Sequence, residues 1–139
     1  MNRNAPITLL LRLEGLALAL VSVWLYAGIH ESWWLFAVLL LAPDLSILGY
    51  LAGPRIGAIV YNSVHSWIAP VVLFAIGWWG NAGFLLPVAF ALGAHIGFDR
   101  ALGYGLKLPD SFKNTHLGRI GGSRARAASP ARQARERPP

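Results

Sequence analysis

Residues 91–109 read ALGAHIGFDRALGYGLKLP. The stretch begins as the end of an apolar helix, then places His95, Asp99 and Arg100 where hydrocarbon or packed protein belongs. His95 and Asp99 are four apart, so on a helix they point to one face. Ionisable groups at membrane depth are costly, which makes them a functional-site hypothesis by default. Gly103, Gly105 and Pro109 then stop the helix.

Composition says what surrounds this stretch. The chain has 139 residues, 55% hydrophobic and 13% charged. Soluble domains carry about 25% charged residues, so most of this chain belongs in lipid. Between Glu14 and Arg100 the only charges are Glu31, Asp44, Arg55 and Asp99. The net charge of +6 comes mostly from arginines in the last third. Following apolar helices, that basic tail reads as a flank near anionic lipid rather than a nucleic-acid surface. The absence of cysteine excludes disulfides and thiolate metal sites. The first apolar segment holds Arg12 and Glu14 and lacks a clean small-residue cleavage site, so it does not read as a signal peptide.

Working outward, the apolar pattern predicts one all-α domain over 1–122, an integral membrane bundle of four transmembrane helices. Spans fall at about 7–27, 33–51, 56–79 and 84–104, each long enough for the ~30 Å hydrocarbon core. In the first, Arg12 reads as a snorkelling side chain, and Glu14 as either a structural partner of an arginine or a site residue. In the second, Pro43 removes a backbone donor and frees carbonyls that need partners. Asp44 is then either an N-cap after a kink or a ligand. In the third, Asn62 and His65 are three apart and share a face, and Pro70 bends the helix. In the fourth, Gly93 and Gly97 let another helix approach closely. Trp33, Trp34, Trp78 and Trp79 fit interfacial belts. His30 lies in a loop and carries no role. Residues 109–122 read as a short ordered return, in which His116 either covers the cavity mouth or sits on the surface. Residues 123–139, rich in Ala, Arg and Pro, read as a disordered tail.

Four spans put both termini on one side, with Arg3, the basic tail and the Arg55 turn. The other two loops hold no Lys or Arg, so the positive-inside rule expects both termini in the cytoplasm, in a multi-pass cell-membrane protein. At ~1.5 Å per residue from that face, Glu14, Asp44, Asn62, His65, His95 and Asp99 all lie roughly 10–16 Å deep. Independent accidents would scatter; convergence predicts one polar cavity open to the cytoplasm. Two imidazoles with two or three carboxylates suit a divalent metal such as Zn, Mn or Fe. Such a metal makes a nucleophile from water, and Arg55 or Arg100 would hold an anionic group such as a lipid phosphate. Tyr104 is a further polar candidate at the cavity.

Residues 43–66, PDLSILGYLAGPRIGAIVYNSVHS, and 94–121, AHIGFDRALGYGLKLPDSFKNTHLGRIG, resemble the bacterial membrane-protein family catalogued as domain-of-unknown-function family 4260. The resemblance covers about residues 9–121 and implies four spans and a shared polar motif, with no activity to carry over. A second resemblance is to membrane-bound metal-dependent hydrolases of the YdjM type. Pro43-Asp44, Val64-His65-Ser66, His95 with Asp99, then Gly105 and Pro109 look like that family's motifs. This implies Asp44, His65, His95 and Asp99 as metal ligands. That family has another histidine where this chain has Val60, and an early-helix histidine for which Glu14 could stand in.

The sequence thus leaves three readings. One is a metal-dependent hydrolase-like protein acting on a lipid or phosphoester, with Glu14 and Arg100 as catalytic groups. Another is a binding or transport module for a small polar ligand or protons. Four short spans without repeats would make a complete transporter only as an oligomer. The third is a structural cluster that holds the helices together. Haem held by His65 and His95 is a minor alternative.

Overall fold

The computed structural model describes residues 5–109, 111–115 and 118–119. His116 and the tail expected over 123–139 lie outside those residues. α1 (Ala5–Gly28) is one uninterrupted apolar helix. α2 (Trp33–Leu41) starts at Ser32, whose hydroxyl accepts from the Trp34 N–H at 3.2 Å, satisfying one of the donors a helix start leaves open. From Ala42 the chain tightens into a 3-10 helix, Ala42–Ala52. Pro43 has no N–H, so the α-helical ladder cannot pass through it. The kink expected at Pro43 is therefore a change of helix type, and the N-cap falls on Leu41 rather than Asp44.

Gly53, at φ 108°, turns the chain into α3 (Pro54–His65). α4 (Ile68–Trp79) follows after a break at Ser66 and Trp67, and the two helices are bent by 43°. The third span is thus broken rather than a single rod over 56–79. Pro70 explains where: its ring collides with the carbonyl four residues earlier and it donates no bond there. That carbonyl belongs to Ser66, which accepts instead from the Ala69 N–H at 3.2 Å.

α5 (Leu86–Leu102) is the centre of the bundle, with ten buried residues. It ends earlier than the expected 104, because Gly103 takes a left-handed φ of 93°. The Tyr104 N–H donates to the Asp99 carbonyl at 2.7 Å and the Gly103 N–H to the Arg100 carbonyl at 3.1 Å, a pairing that closes a helix C-terminus. Arg12 reaches across from α1 and donates to the Leu102 carbonyl at 3.2 Å. Rather than only snorkelling, it caps the last turn of α5.

α1 packs on α5 through small residues, as the glycine spacing predicts. A Cβ on Gly97 would stand 2.6 Å from the Gly15 carbonyl oxygen, and one on Gly93 2.7 Å from the Ser22 hydroxyl. Such close approach lets dispersion contacts hold helices together where lipid offers no hydrophobic drive. At the other end Tyr26, Phe36 and Phe90 form the aromatic part of the core. Leucines and tryptophans stand outside, among them Leu20, Trp24, Trp34, Leu41 and Trp79. Three helical stretches, Pro6–Gly28, Trp33–Ala52 and Gly83–Leu102, are long and apolar enough to cross a membrane, and the bent α3–α4 pair makes a fourth if it is one span.

The return after α5 is a small antiparallel meander of β1 (Lys107–Leu108), β2 (Ser111–Thr115) and β3 (Gly118–Arg119). Asn62 anchors it. Its amide donates to the Lys107 carbonyl at 2.8 Å, and its oxygen accepts from the Lys107 N–H at 2.7 Å.

Candidate functional site

Three elements bring four ionisable side chains to one point. α5 presents His95 and, one turn on, Asp99; the end of α3 supplies His65; the first turn of the 3-10 helix supplies Asp44. His65 Nε2 and His95 Nε2 are 3.1 Å apart. Asp44 Oδ1 lies 3.9 Å from the first and 3.6 Å from the second. Asp99 Oδ2 lies 3.8 and 3.7 Å from the same two atoms. The imidazoles are buried, whereas the Asp44 side chain is 52% exposed and opens the cluster to its surroundings.

The far side of each ring fixes its proton. His65 Nδ1 is 2.9 Å from the Tyr61 carbonyl and His95 Nδ1 is 2.7 Å from the Leu40 carbonyl. A carbonyl only accepts, so each Nδ1 carries a hydrogen and donates it. In the neutral rings both Nε2 atoms are then lone pairs, aimed at each other with no hydrogen between them. A cation would resolve that contact, and three groups, Asp44, His65 and His95, place ligand atoms within 4.8 Å of one another; Asp99, though near both imidazoles, is not part of that mutually close set. Ligand atoms around a tetrahedral ion at ~2.0–2.1 Å stand about 3.3–3.4 Å apart; here the separations around the imidazole nitrogens run from 3.1 to 3.9 Å. Metal-ligating histidines commonly give their other N–H to a carbonyl in this way.

Pro43 has a part in this lock. In a 3-10 pattern the bond to the Leu40 carbonyl would come from residue 43, a proline without an N–H. His95 takes that place.

Tyr61, which is not among the site residues expected from the residue pattern, touches the cluster twice. Its hydroxyl donates to Asp99 Oδ2 at 3.2 Å, and its ring stacks on His65 with centroids 3.7 Å apart. Lys107 places its ammonium 5.0 Å from the centre of the same ring. Burial pulls the Lys107 pKa below the usual lysine range, and the Asp99 carboxylate opposes that shift. Tyr61 lies one helical turn before His65, the spacing that could have marked it.

The remaining candidates are placed elsewhere. Asn62 serves the β1 backbone rather than the cluster. Arg55 is exposed and shares a cavity with Pro109. Tyr104 contributes backbone bonds at the end of α5. Glu14 and Arg100 line one cavity of about 350 Å³ beside Trp67. Arg100 touches the cluster's frame, donating to the His65 carbonyl at 3.3 Å.

Apolar spans on the outside and a His/Asp cluster at the helix junction define a multi-pass helical membrane protein with a polar site inside the bundle. The chain belongs to the family described as Domain of unknown function (DUF4260), whose family model matches residues 8–120. No curated protein and no solved structure matches it significantly.

Proposed function

We propose that this protein binds a divalent metal, Zn, Mn or Fe, through Asp44, His65 and His95, with Asp99 beside the two imidazoles, and hydrolyses a lipid or phosphoester at the membrane. The observation that carries this reading is the pair of Nε2 lone pairs 3.1 Å apart, each ring locked by its Nδ1–H on a carbonyl. Nitrogen and oxygen ligands without thiolate suit these metals. The reading also draws on the resemblance of Pro43-Asp44, Val64-His65-Ser66 and His95 with Asp99 to membrane-bound metal-dependent hydrolases, an analogy of motifs that no comparison reproduces. A bound divalent ion supplies Lewis acidity and a nucleophile at neutral pH.

The chain's own groups do the rest. The Leu40 and Tyr61 carbonyls hold the rings in one tautomer, and the Tyr61 hydroxyl orients Asp99. Arg100, which donates to the His65 carbonyl, would hold an anionic oxygen of the substrate; Glu14 shares its cavity, which none of the four cluster side chains lines, and has no part in the proposed step. The Arg55 turn and the basic tail support an orientation with the cluster end in the cytoplasm. The test is hydrolysis of phospholipid and soluble phosphoester substrates by protein loaded with Zn or Mn, beside Asp99→Ala. Metal-dependent turnover lost in the variant is expected. Metal binding without turnover of either substrate class contradicts the hydrolase reading.

One feature favours a second reading. A separation of 3.1 Å is also hydrogen-bond length, so a single proton could sit between the rings, flanked by Asp44 and Asp99. The protein would then be a proton-binding module. Nitrogen NMR of metal-free protein separates the two: one shared Nε2 proton at neutral pH favours this reading, and two unprotonated Nε2 atoms exclude it.

A further inference from the structure

A groove runs along the seam between α1 and α4, floored by α5. At the end away from the cluster is a cavity of about 610 Å³ between Trp24 and Trp78. It shares Leu25, Phe74 and Phe90 with a second, of about 250 Å³. The second shares Leu18 and Trp67 with the third, of about 350 Å³, which Glu14 and Arg100 line. Apart from Ser22 in the second cavity, the walls are apolar until the last, where one anion and one cation face the same space.

We propose that this groove binds one phospholipid with a primary-amine headgroup. Its acyl chain would lie between α1 and α4, its phosphate on Arg100 and its ammonium on Glu14. Length, polarity and charge all fit. From Glu14 to Leu25 along α1 is about 16 Å at ~1.5 Å per residue, room for an extended acyl segment about half as long as a ~30 Å hydrocarbon core is thick. Among the described residues, Arg100 directs hydrogen bonds to the carbonyls of His65 and Tyr104, at 3.3 and 3.4 Å. A guanidinium has five donors in a planar fork suited to phosphate. Glu14 is exposed, and its carboxylate would disfavour a purely anionic headgroup while matching an ammonium. Gly93 and Ala89 carry little or no side chain where they line the second cavity, so its floor is deep there. The inference does not rest on a metal: none of the four cluster side chains lines these three cavities.

The test is native mass spectrometry of the full chain in mild detergent, titrated with dioleoyl phosphatidylethanolamine, phosphatidylglycerol or phosphatidylcholine. One retained lipid per chain is expected, with the ethanolamine lipid held best. Arg100→Gln lowers that retention about tenfold, the effect of losing a charge-assisted hydrogen bond, and Arg100→Lys recovers part of it. Glu14→Gln, a change on an exposed side chain, keeps lipid but removes the preference for ethanolamine over glycerol. Val71→Trp, at an exposed position on the groove wall, blocks the chain and lowers retention of all three lipids. Retention that ignores both headgroup and Val71→Trp would mean annular lipid only and overturns the proposal. So does a lipid-free protein dimer that Val71→Trp dissociates, since a second copy would then fill the groove.

Discussion

His65 and His95 meet Nε2 to Nε2 at 3.1 Å while each spends its other nitrogen on a main-chain carbonyl. The carbonyls come from different elements, Tyr61 on α3 and Leu40 at the end of α2. Folding of the helices therefore sets the tautomers before any ligand arrives.

Tyr61→Phe should weaken metal binding by roughly 10–100-fold, the usual cost of losing a partner that orients a ligand. The stack on His65 survives, so thermal stability should change little. Competition with a metallochromic chelator measures the affinity. An unchanged affinity would mean that the Tyr61 hydroxyl does not hold Asp99 for the ion.

Pro43→Ala restores a main-chain N–H near the Leu40 carbonyl. Pro43 sits in the first turn of the 3-10 helix, where proline is tolerated, so the expected result is little change in stability together with poorer metal binding as the new donor competes with His95. Unchanged metal affinity would show that the Leu40 carbonyl has no part in orienting the ring.

Gly97→Ala should destabilise the bundle by about 1–3 kcal/mol, the range for overpacking a close contact. The added carbon would fall 2.6 Å from the Gly15 oxygen and 2.8 Å from the Ala19 Cβ. Reversible unfolding in mixed micelles reads this directly; a neutral result would mean that α1 and α5 can part without loss.

Asn62→Ala removes both bonds to the Lys107 backbone, at a cost of about 1–3 kcal/mol. Limited proteolysis after Lys107 should speed up, with metal binding retained. Loss of metal at full resistance to cleavage would return Asn62 to the cluster.

Much of this architecture is legible in the residues because lipid imposes simple demands. Apolar runs give the spans, Gly93 and Gly97 give the α1–α5 contact, and Pro43 gives the irregular second span. The common depth read for six polar groups anticipates that Asp44 and Asp99 stand 3.6–3.9 Å from the paired imidazoles of His65 and His95, whereas Glu14 and Asn62, read at the same depth, do not join them. What was not legible has physical causes. Pro70 acts four residues upstream, so the break falls at Ser66 rather than at the proline. Asn62 serves a strand 45 positions away, and its amide pairs as well with a backbone as with a cavity. The Leu40 carbonyl is main chain and leaves no trace in residue type. Tyr61 reads as ordinary packing until its hydroxyl is placed on Asp99.

The most direct test of the cluster as a metal centre is the metal content of the detergent-purified protein. It is measured by elemental mass spectrometry beside folded His95→Ala and Asp99→Ala variants. The account predicts near-stoichiometric Zn, Mn or Fe in the parent chain and its loss in both variants. A parent chain that holds no metal, even after loading with Zn or Mn, would contradict it.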